Sequence, residues 1–439
     1  MSDPAISLDR ARASELGLVA RFFKATELDT RLLGMIGALV VIWLAFQFLT
    51  GGLANGQFLT PRNLWNLSVQ TSSIAVMATG MVLVIVTRNI DLSVGSVLGF
   101  VGMVMGVTQA EILPKLIGFE QPFTWVIALG LGIVVGALIG GFQGFVIAFL
   151  GVPAFIVTLG GLLVWRGAAW WVTSGRTVAP MDSTFRLMGG GPEGSIGATW
   201  SWVVGIVACL AIVGMIVNGR RQRKRFNFPR RPVWAEAFMA AIACFLVLGA
   251  VSIANHYYWP IGIVRKYAEA NNITIPDGGL FIPHGIAIPV LIAVATGIIM
   301  TFVTTRTRFG RYVFAMGGNP EAADLAGINT RWVTMKIFII MGILCAIAGA
   351  ISTARLNAAT NAQGTLDELM TIAAAVIGGT SLAGGVGTIA GAMIGALLMQ
   401  SLNSGMVMLG LETPLQNIVV GIVLVVAVWL DTIYRRRTA

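Results

Sequence analysis

Two stretches of the sequence place hydrogen-bonding side chains inside otherwise apolar sequence. The first runs from Thr87 to Gly95 and reads TRNIDLSVG, and the second runs from Gly378 to Gly387 and reads GGTSLAGGVG. Each divides an apolar stretch into a helix, a break and a second helix. In a membrane-spanning protein, non-helical backbone is tolerated only where it lines a cavity or is buried in protein. Hydroxyl, amide and carboxyl groups at such breaks therefore predict a path that binds a solute by hydrogen bonds.

No comparable pattern in the sequence indicates catalysis or metal binding. The three cysteines, Cys209, Cys244 and Cys345, lie in separate apolar runs without CxxC spacing, and His256 and His284 are far apart. Paired acids, or a nucleophile beside a base, are not visible, so we expect no catalytic residue and no metal. A P-loop requires GxxxxGK[ST], but none of the five lysines follows a glycine. The sequence therefore predicts that this chain is not an enzyme.

The composition indicates that lipid is the main solvent. Of the 439 residues, 56% are hydrophobic and 11% are charged, which is too little charge to cover a soluble globule. Apolar runs of about 17 to 25 residues favour helices over a barrel, because helices satisfy their own backbone groups in hydrocarbon. The net charge of +10 comes from short basic blocks beside apolar runs, which are typical of cytoplasmic anchors. The predicted fold class is an all-α polytopic membrane protein.

About twelve spans follow from the apolar runs. Residues 1–31 form a predicted cytoplasmic segment, in which residues 15–23 suit a surface helix, and residues 32–439 form the transmembrane domain. Both termini are predicted to be cytoplasmic, because this count places the basic segments 220–231, 306–311 and 435–437 inside. The predicted spans lie near 32–49, 67–87, 91–110, 124–149, 154–173, 201–218, 234–254, 284–304, 332–356, 368–383, 387–409 and 415–433.

A short helix with specified ends is predicted in the cytoplasmic segment 306–331. Asn319 suits an N-cap, Pro320 the first helical position, Glu321 the positive helix end and Gly327 a left-handed stop. A helix this short is marginal alone. It is therefore either a knob that docks on another protein or an ordinary connector, and the spacing leaves both interpretations open. The residues of this segment are Gly317, Gly318, Asn319, Pro320, Glu321, Ala322, Ala323, Gly327 and Ile328.

Several motifs occur in an order that resembles the permease subunits of bacterial monosaccharide ABC importers, the family that serves ribose, arabinose, galactose and xylose. The resemblance runs through most of the chain. It is carried by IDLSVGS at 90–96, PAFIVTLG at 153–160 with Arg166-Gly167, TRFGR at 307–311, GGN at 317–319 with EAA at 321–323 and Gly327-Ile328, and IGGTSLAGG at 377–385.

The resemblance implies a permease homodimer in the bacterial inner (plasma) membrane. It further implies a cytoplasmic ATPase subunit that holds the ATP and Mg, with no cofactor in this chain, and a periplasmic sugar-binding protein. The expected activity is import of a neutral monosaccharide, most similar to the xylose members, by alternating access. Residues 201–254 are then a helix pair inserted into a ten-helix core, and 306–331 is the ATPase-coupling loop. The alternative is an ion-coupled secondary sugar transporter, which normally needs several intramembrane carboxylates or histidines, whereas only Asp91 stands out.

A neutral sugar needs hydroxyl, amide and aromatic partners more than fixed charges. Asp91 has a structural alternative, since it could cap a helix beginning at Leu92 and pair with Arg88; both roles could hold at once. Two other charged sites suit ordinary roles: Asp367-Glu368 as carboxylates at a helix N-terminus, and Arg166 as a side chain reaching an interface. The predicted pathway residues are Asn89, Asp91, Ser93 and Ser96 at the first break, Thr380 and Ser381 at the second, and then Gln143, Phe155 and Thr158.

Overall fold

A computed structural model describes residues 26–27, 30–118 and 121–438. The surface helix predicted at 15–23 lies outside these residues. The described chain is helical, and its only extended pairings are isolated bridges such as the one between Val178 and Ala359. The prediction of an all-α fold is confirmed.

The described residues form eighteen α-helices, which are numbered in chain order. They are α1 (Thr30–Leu49), α2 (Gly52–Asn55), α3 (Pro61–Val86), α4 (Val94–Val107), α5 (Leu113–Ile117), α6 (Thr124–Ala148), α7 (Ala154–Thr173), α8 (Ser183–Arg186), α9 (Gly197–Arg225), α10 (Val233–Asn255), α11 (Ile261–Ala270), α12 (Ile288–Arg306), α13 (Arg308–Gly318), α14 (Pro320–Leu325), α15 (Thr330–Leu356), α16 (Asp367–Ile377), α17 (Ile389–Met408) and α18 (Thr413–Thr438). A π-helical turn, Thr108–Ile112, joins α4 to α5, and a 3₁₀ turn, Leu187–Gly189, follows α8.

Ten segments of the described chain are long and apolar enough to cross a membrane. They are α1, α3, α4 continued through α5, α6, α7, α9, α10, α12, α15 and α17. Two further apolar segments complete the predicted set: α16, with only eleven residues, and the Thr413–Trp429 part of α18. The loop predicted at 219–233 is shorter than expected, because α9 continues to Arg225. Arg, Lys and Gln are good helix formers and extend the helix beyond its apolar part.

The chain forms two compact units, one of residues 1–34 and 196–285 and the other of residues 35–195 and 286–439. In the first unit, α9 packs along α10, and Gly205 meets the Val251 side chain. Arg223 and Arg231 both donate to the Glu27 carboxylate, and these hydrogen bonds lower the pKa of Glu27 to about 2. That this helix pair is an insertion remains a prediction.

In the second unit, the residues at which the chain leaves the unit and returns to it are hydrogen-bonded to each other. Ser195 and Ala287 form an antiparallel bridge, and the Ile288 N–H donates to the Gly194 carbonyl at 2.9 Å.

Helix α3 occupies the centre of the second unit. It packs against α12, α15, α16 and α17, and its residues from Ile74 to Val86 are almost all buried. A helix that is apolar on all sides is suited to burial within a membrane protein rather than to a lipid-facing position. The first break follows its last residue, so the break begins in the most enclosed part of this unit.

A row of glycines on α6 allows close contact with α15. Gly136, Gly140 and Gly144 lie at four-residue spacing, and a side chain at any of them would meet the α15 backbone. Small residues at this spacing let two membrane helices approach closely, where dispersion contacts are the main attraction.

Replacing Gly140 with alanine is expected to lower the thermal stability of the purified protein. The added Cβ would lie 2.8 Å from the Phe338 carbonyl carbon, so the helices must separate at a cost of about 1–3 kcal/mol. Gly141→Ala is the matched control, because its Cβ would meet Ile339 at an ordinary 3.5 Å. Melting temperatures in detergent measure the difference, and equal values for both variants would contradict this account of the packing.

Candidate functional site

The first break spans the residues between the end of α3 at Val86 and the start of α4 at Val94. Arg88 adopts a left-handed conformation with φ +62°, which turns the chain at this point. The Asn89 N–H still bonds to the Val84 carbonyl at 3.1 Å, and its side-chain amide donates to Thr87. Asn89 therefore closes the end of α3 rather than facing open space.

Four predicted pathway residues gather beside this break. Asp91 Oδ1 accepts from the Ser93 N–H at 2.9 Å and from the Ser93 hydroxyl at 2.6 Å. Ser93 Oγ also lies 3.2 Å from the Gln143 amide on α6. Thr158 on α7 reaches the Ile90 carbonyl at 3.1 Å. The break is thus held by a buried polar network that joins α4, α6 and α7.

Two expectations for Asp91 are wrong. The helix that follows Asp91 begins at Val94 rather than Leu92. The Asp91 carboxylate accepts from the backbone N–H of Ser93, the residue immediately before that helix. Arg88 does not pair with Asp91. Its Nε donates to the Gly317 carbonyl at 3.0 Å and its Nη2 to the Gly318 carbonyl at 2.7 Å. These carbonyls end α13, where orphan acceptors and the helix dipole favour a cation.

The second break, between Ile377 and Ile389, is a compact turn. Gly379, Gly384 and Gly385 all have positive φ, and the Ser381 N–H donates to the Val386 carbonyl at 2.8 Å. The Thr380 and Ser381 hydroxyls are fully buried and have no hydrogen-bond partner. Buried hydroxyls without partners are uncommon, and they leave this break with unused hydrogen-bonding capacity.

Both breaks meet the end of α13 at one place, which we call the glycine junction and define as residues 86–88, 317–318 and 384–385. The Gly385 N–H donates to the Val86 carbonyl at 3.0 Å. A Cβ on Gly317 would collide with the Val86 carbonyl oxygen and lie 2.7 Å from the Gly385 nitrogen. Three backbone segments therefore touch directly, and Gly317 is required because no side chain fits between them.

The short helix predicted after the junction is present as α14. Asn319 Oδ1 accepts from the Ala322 N–H at 3.0 Å, Pro320 is its first residue, and Gly327 has φ +81°. The preceding helix α13 was not predicted. On α14, Ala323 is buried, whereas Leu325 is 90% exposed. Helix α14 therefore ends in an exposed apolar side chain.

Residues 63–428 match the family described as "Branched-chain amino acid transport system / permease component". The chain belongs to this permease family. It is 37% identical over 411 residues to the xylose transport system permease protein XylH of Escherichia coli, covering 94% of each chain. The Haemophilus influenzae XylH is 36% identical over 94% of this chain and 100% of its own. The ribose import permease protein RbsC of Escherichia coli is 31% identical, covering 85% of this chain and 87% of its own. No solved structure matches.

The remaining predicted residues of the permease are placed differently. Ser96 is buried on α4 and its hydroxyl has no partner, whereas the Phe155 side chain is half exposed on α7. Sequence reasoning missed the role of Arg88 at the junction, although an arginine between two apolar runs is itself unusual. The described residues hold no group of three or more His, Cys, Asp or Glu that could bind a metal ion.

Proposed function

We propose that this chain is the transmembrane permease subunit of an ATP-driven ABC importer that carries a monosaccharide, D-xylose before others, into the cytoplasm. The observation that carries the proposal is the similarity to two xylose transport system permeases along nearly the full length of each chain. The ribose permease relative is less similar and covers less of the chain, so ribose ranks second.

Two features of the chain support the proposed partners: the absence of a P-loop and an exposed leucine on α14. The sequence has no P-loop, so ATP and Mg belong to a separate cytoplasmic ATPase subunit. Exposed Leu325 on α14 offers an apolar contact for that subunit. A second permease copy and a periplasmic sugar-binding protein complete the proposed importer. Both termini lie in the cytoplasm, on the side of the basic segments.

The glycine junction suggests how the ATPase drives alternating access. A displacement of α14 reaches the Gly317 and Gly318 carbonyls within a few residues, and Arg88 fixes those carbonyls to the end of α3. The bond from Gly385 to Val86 ties the second break to the same point. One movement of α14 thus acts on both breaks together.

The proposed pathway is shut within this copy. Seven of its residues are buried: Asp91, Ser93, Ser96, Gln143, Thr158, Thr380 and Ser381. We therefore propose that these groups meet sugar only after the helices that flank the breaks have separated, as alternating access requires. Phe155 and Asn89 are the more accessible members of the pathway set.

Uptake into proteoliposomes tests the proposal. The permease is reconstituted with its ATPase and binding protein, and labelled xylose, ribose, arabinose and galactose are supplied with and without ATP. We expect accumulation that requires ATP, survives a protonophore and is largest for xylose. Uptake that ignores ATP and collapses with the protonophore would overturn the ABC proposal in favour of ion coupling.

A further inference from the structure

Four acidic side chains are buried in the part of the chain that the structure describes, and one of them differs from the rest. The four are Asp91, Asp182, Glu236 and Glu368. Asp91 accepts from Ser93, Asp182 from the Thr184 and Phe185 amides, and Glu236 from Arg220. Glu368, only 7% exposed, has a carboxylate oxygen, Oε2, that is buried without any hydrogen-bond partner.

Glu368 lies near the start of α16 and faces α4. Its Oε2 lies against Gly95, so closely that a Cβ on Gly95 would collide with it. A helix N-terminus favours a carboxylate nearby, yet this alone leaves Oε2 without a donor. Burying an unpaired carboxylate oxygen is expensive, and an unsatisfied buried group in a native protein calls for an explanation such as a ligand.

Two unpartnered hydroxyls accompany this carboxylate. Ser96 follows Gly95 on α4, and Thr371 lies three residues after Glu368, on the same side of α16. Both are fully buried, and neither hydroxyl has a partner. Buried threonines elsewhere, such as Thr71 and Thr304, bond to the carbonyl four residues earlier. Ser96 and Thr371 therefore retain the hydrogen-bonding capacity that Thr71 and Thr304 use within their own helices.

A guanidinium next to this group restricts the ligand. Arg166 Nη1 donates to the Asn361 and Gln363 carbonyls at 3.1 and 2.7 Å, and it lies beside Gly99, one turn from Gly95 on α4. The charges of Arg166 and Glu368 are close enough to interact, and Asp367 and Arg355 beside them add one charge of each sign. A cation is disfavoured by the guanidinium and an anion by the carboxylate, so a neutral ligand rich in hydroxyl groups fits best.

We propose that Ser96, Glu368 and Thr371 form a sugar-binding station in the permease. The Glu368 carboxylate accepts from two adjacent hydroxyls of the monosaccharide, and the Ser96 and Thr371 hydroxyls bond to its remaining oxygens. This inference rests on the proposed function and deepens it, since it assigns a sugar contact to Glu368 and Thr371, which the sequence had not singled out as pathway residues.

The station is closed here and has a place at which it opens. Gly95, Gly99 and Gly102 of α4 pack directly on the segment from Gln363 to Glu368, which leaves no space between them. Leu366, immediately before α16, is held at φ +66°, a left-handed conformation that is strained for a leucine. Separation of α4 from this segment admits the sugar. The backbone changes conformation at the strained turn around Leu366.

Replacing Glu368 with glutamine tests the station. The KM for xylose uptake is expected to rise about tenfold or more, because the amide loses a charged acceptor. Thermal stability is expected to stay equal or to increase, since a buried charged oxygen without a hydrogen-bond donor is removed. A purely structural carboxylate would instead lower stability and leave KM unchanged, and that result would overturn the inference. Glu193→Gln, at a largely exposed glutamate paired with Arg186, is the control.

Thiol labelling provides a second readout that does not depend on KM. Thr371→Cys is introduced after Cys209, Cys244 and Cys345 have been replaced by alanine, and Thr305→Cys, at an exposed site on α12, is the control. Xylose is expected to slow labelling at position 371 during turnover and not at position 305. Protection by sodium instead of xylose, or no protection, would overturn the station. Absence of ATP-dependent uptake in the unmodified importer would instead defeat the proposed function itself.

Discussion

Gly317→Ala is expected to lower ATP-dependent xylose uptake about tenfold or more, and Gly318→Ala is expected to have a far smaller effect. The added Cβ at position 317 collides with the Val86 carbonyl, whereas a Cβ at position 318 has no atom within 4 Å. Overpacking costs about 1–3 kcal/mol, and each 1.4 kcal/mol corresponds to a factor of ten. This cost falls on the contact that links the end of α13 to both breaks.

The measurement compares uptake, ATP hydrolysis and recovery of the assembled importer for the two alanine variants. We expect Gly317→Ala to assemble and hydrolyse ATP but to move less sugar per ATP. Arg88→Gln provides an independent test, because it removes the charge that binds the Gly317 and Gly318 carbonyls while retaining one amide donor. Equal uptake by both alanine variants would show that the junction does not transmit movement.

Leu325→Lys is expected to weaken binding of the ATPase subunit by about ten- to a hundredfold. Burying one leucine contributes about 1.5–3 kcal/mol, and Leu325, 90% exposed in the permease alone, makes that contribution only in the complex. Lysine keeps an unbranched, helix-compatible side chain, and its charge suits the C-terminal end of α14. The fold of the permease should therefore be unaffected.

Co-purification of the ATPase with the tagged permease, over a range of ATPase concentrations, measures this loss. Leu116→Lys is the matched control, because Leu116 is also strongly exposed but lies near the end of α5, which the predicted topology places on the opposite side of the membrane. We expect the control to bind the ATPase as the unmodified permease does. Unchanged binding by Leu325→Lys would remove α14 from the ATPase interface.

The features that follow local rules were predictable from sequence. The cap at Asn319, the proline after it and the stop at Gly327 act within a few residues, and α14 has all three. The two breaks are likewise visible in the sequence, the first as polar residues and the second as glycines, each within apolar sequence. The partner of Arg88 was not predictable in this way. Asp91 is the acidic residue nearest to Arg88 in the sequence. Arg88 instead donates to carbonyls at the end of α13, which is far away in the sequence.

The role proposed for Glu368 could not be predicted from the sequence either. A carboxylate at the beginning of a helix is ordinary in sequence, and nothing local distinguishes it from Asp367. Its oxygen Oε2 is buried without a hydrogen-bond partner against Gly95, which lies far away in the sequence. Segments brought together by close glycine contacts thus carry the parts of the site that sequence reasoning could not reach.

The bridge between Ser195 and Ala287 has a consequence for the history of this protein family. The residues on either side of the 196–285 excursion are already hydrogen-bonded to each other within the second unit. A gene could therefore gain or lose the intervening segment without rerouting the chain that encloses the breaks and the junction. Such a segment is free to diversify as a module, while the transport machinery evolves under constraints of its own.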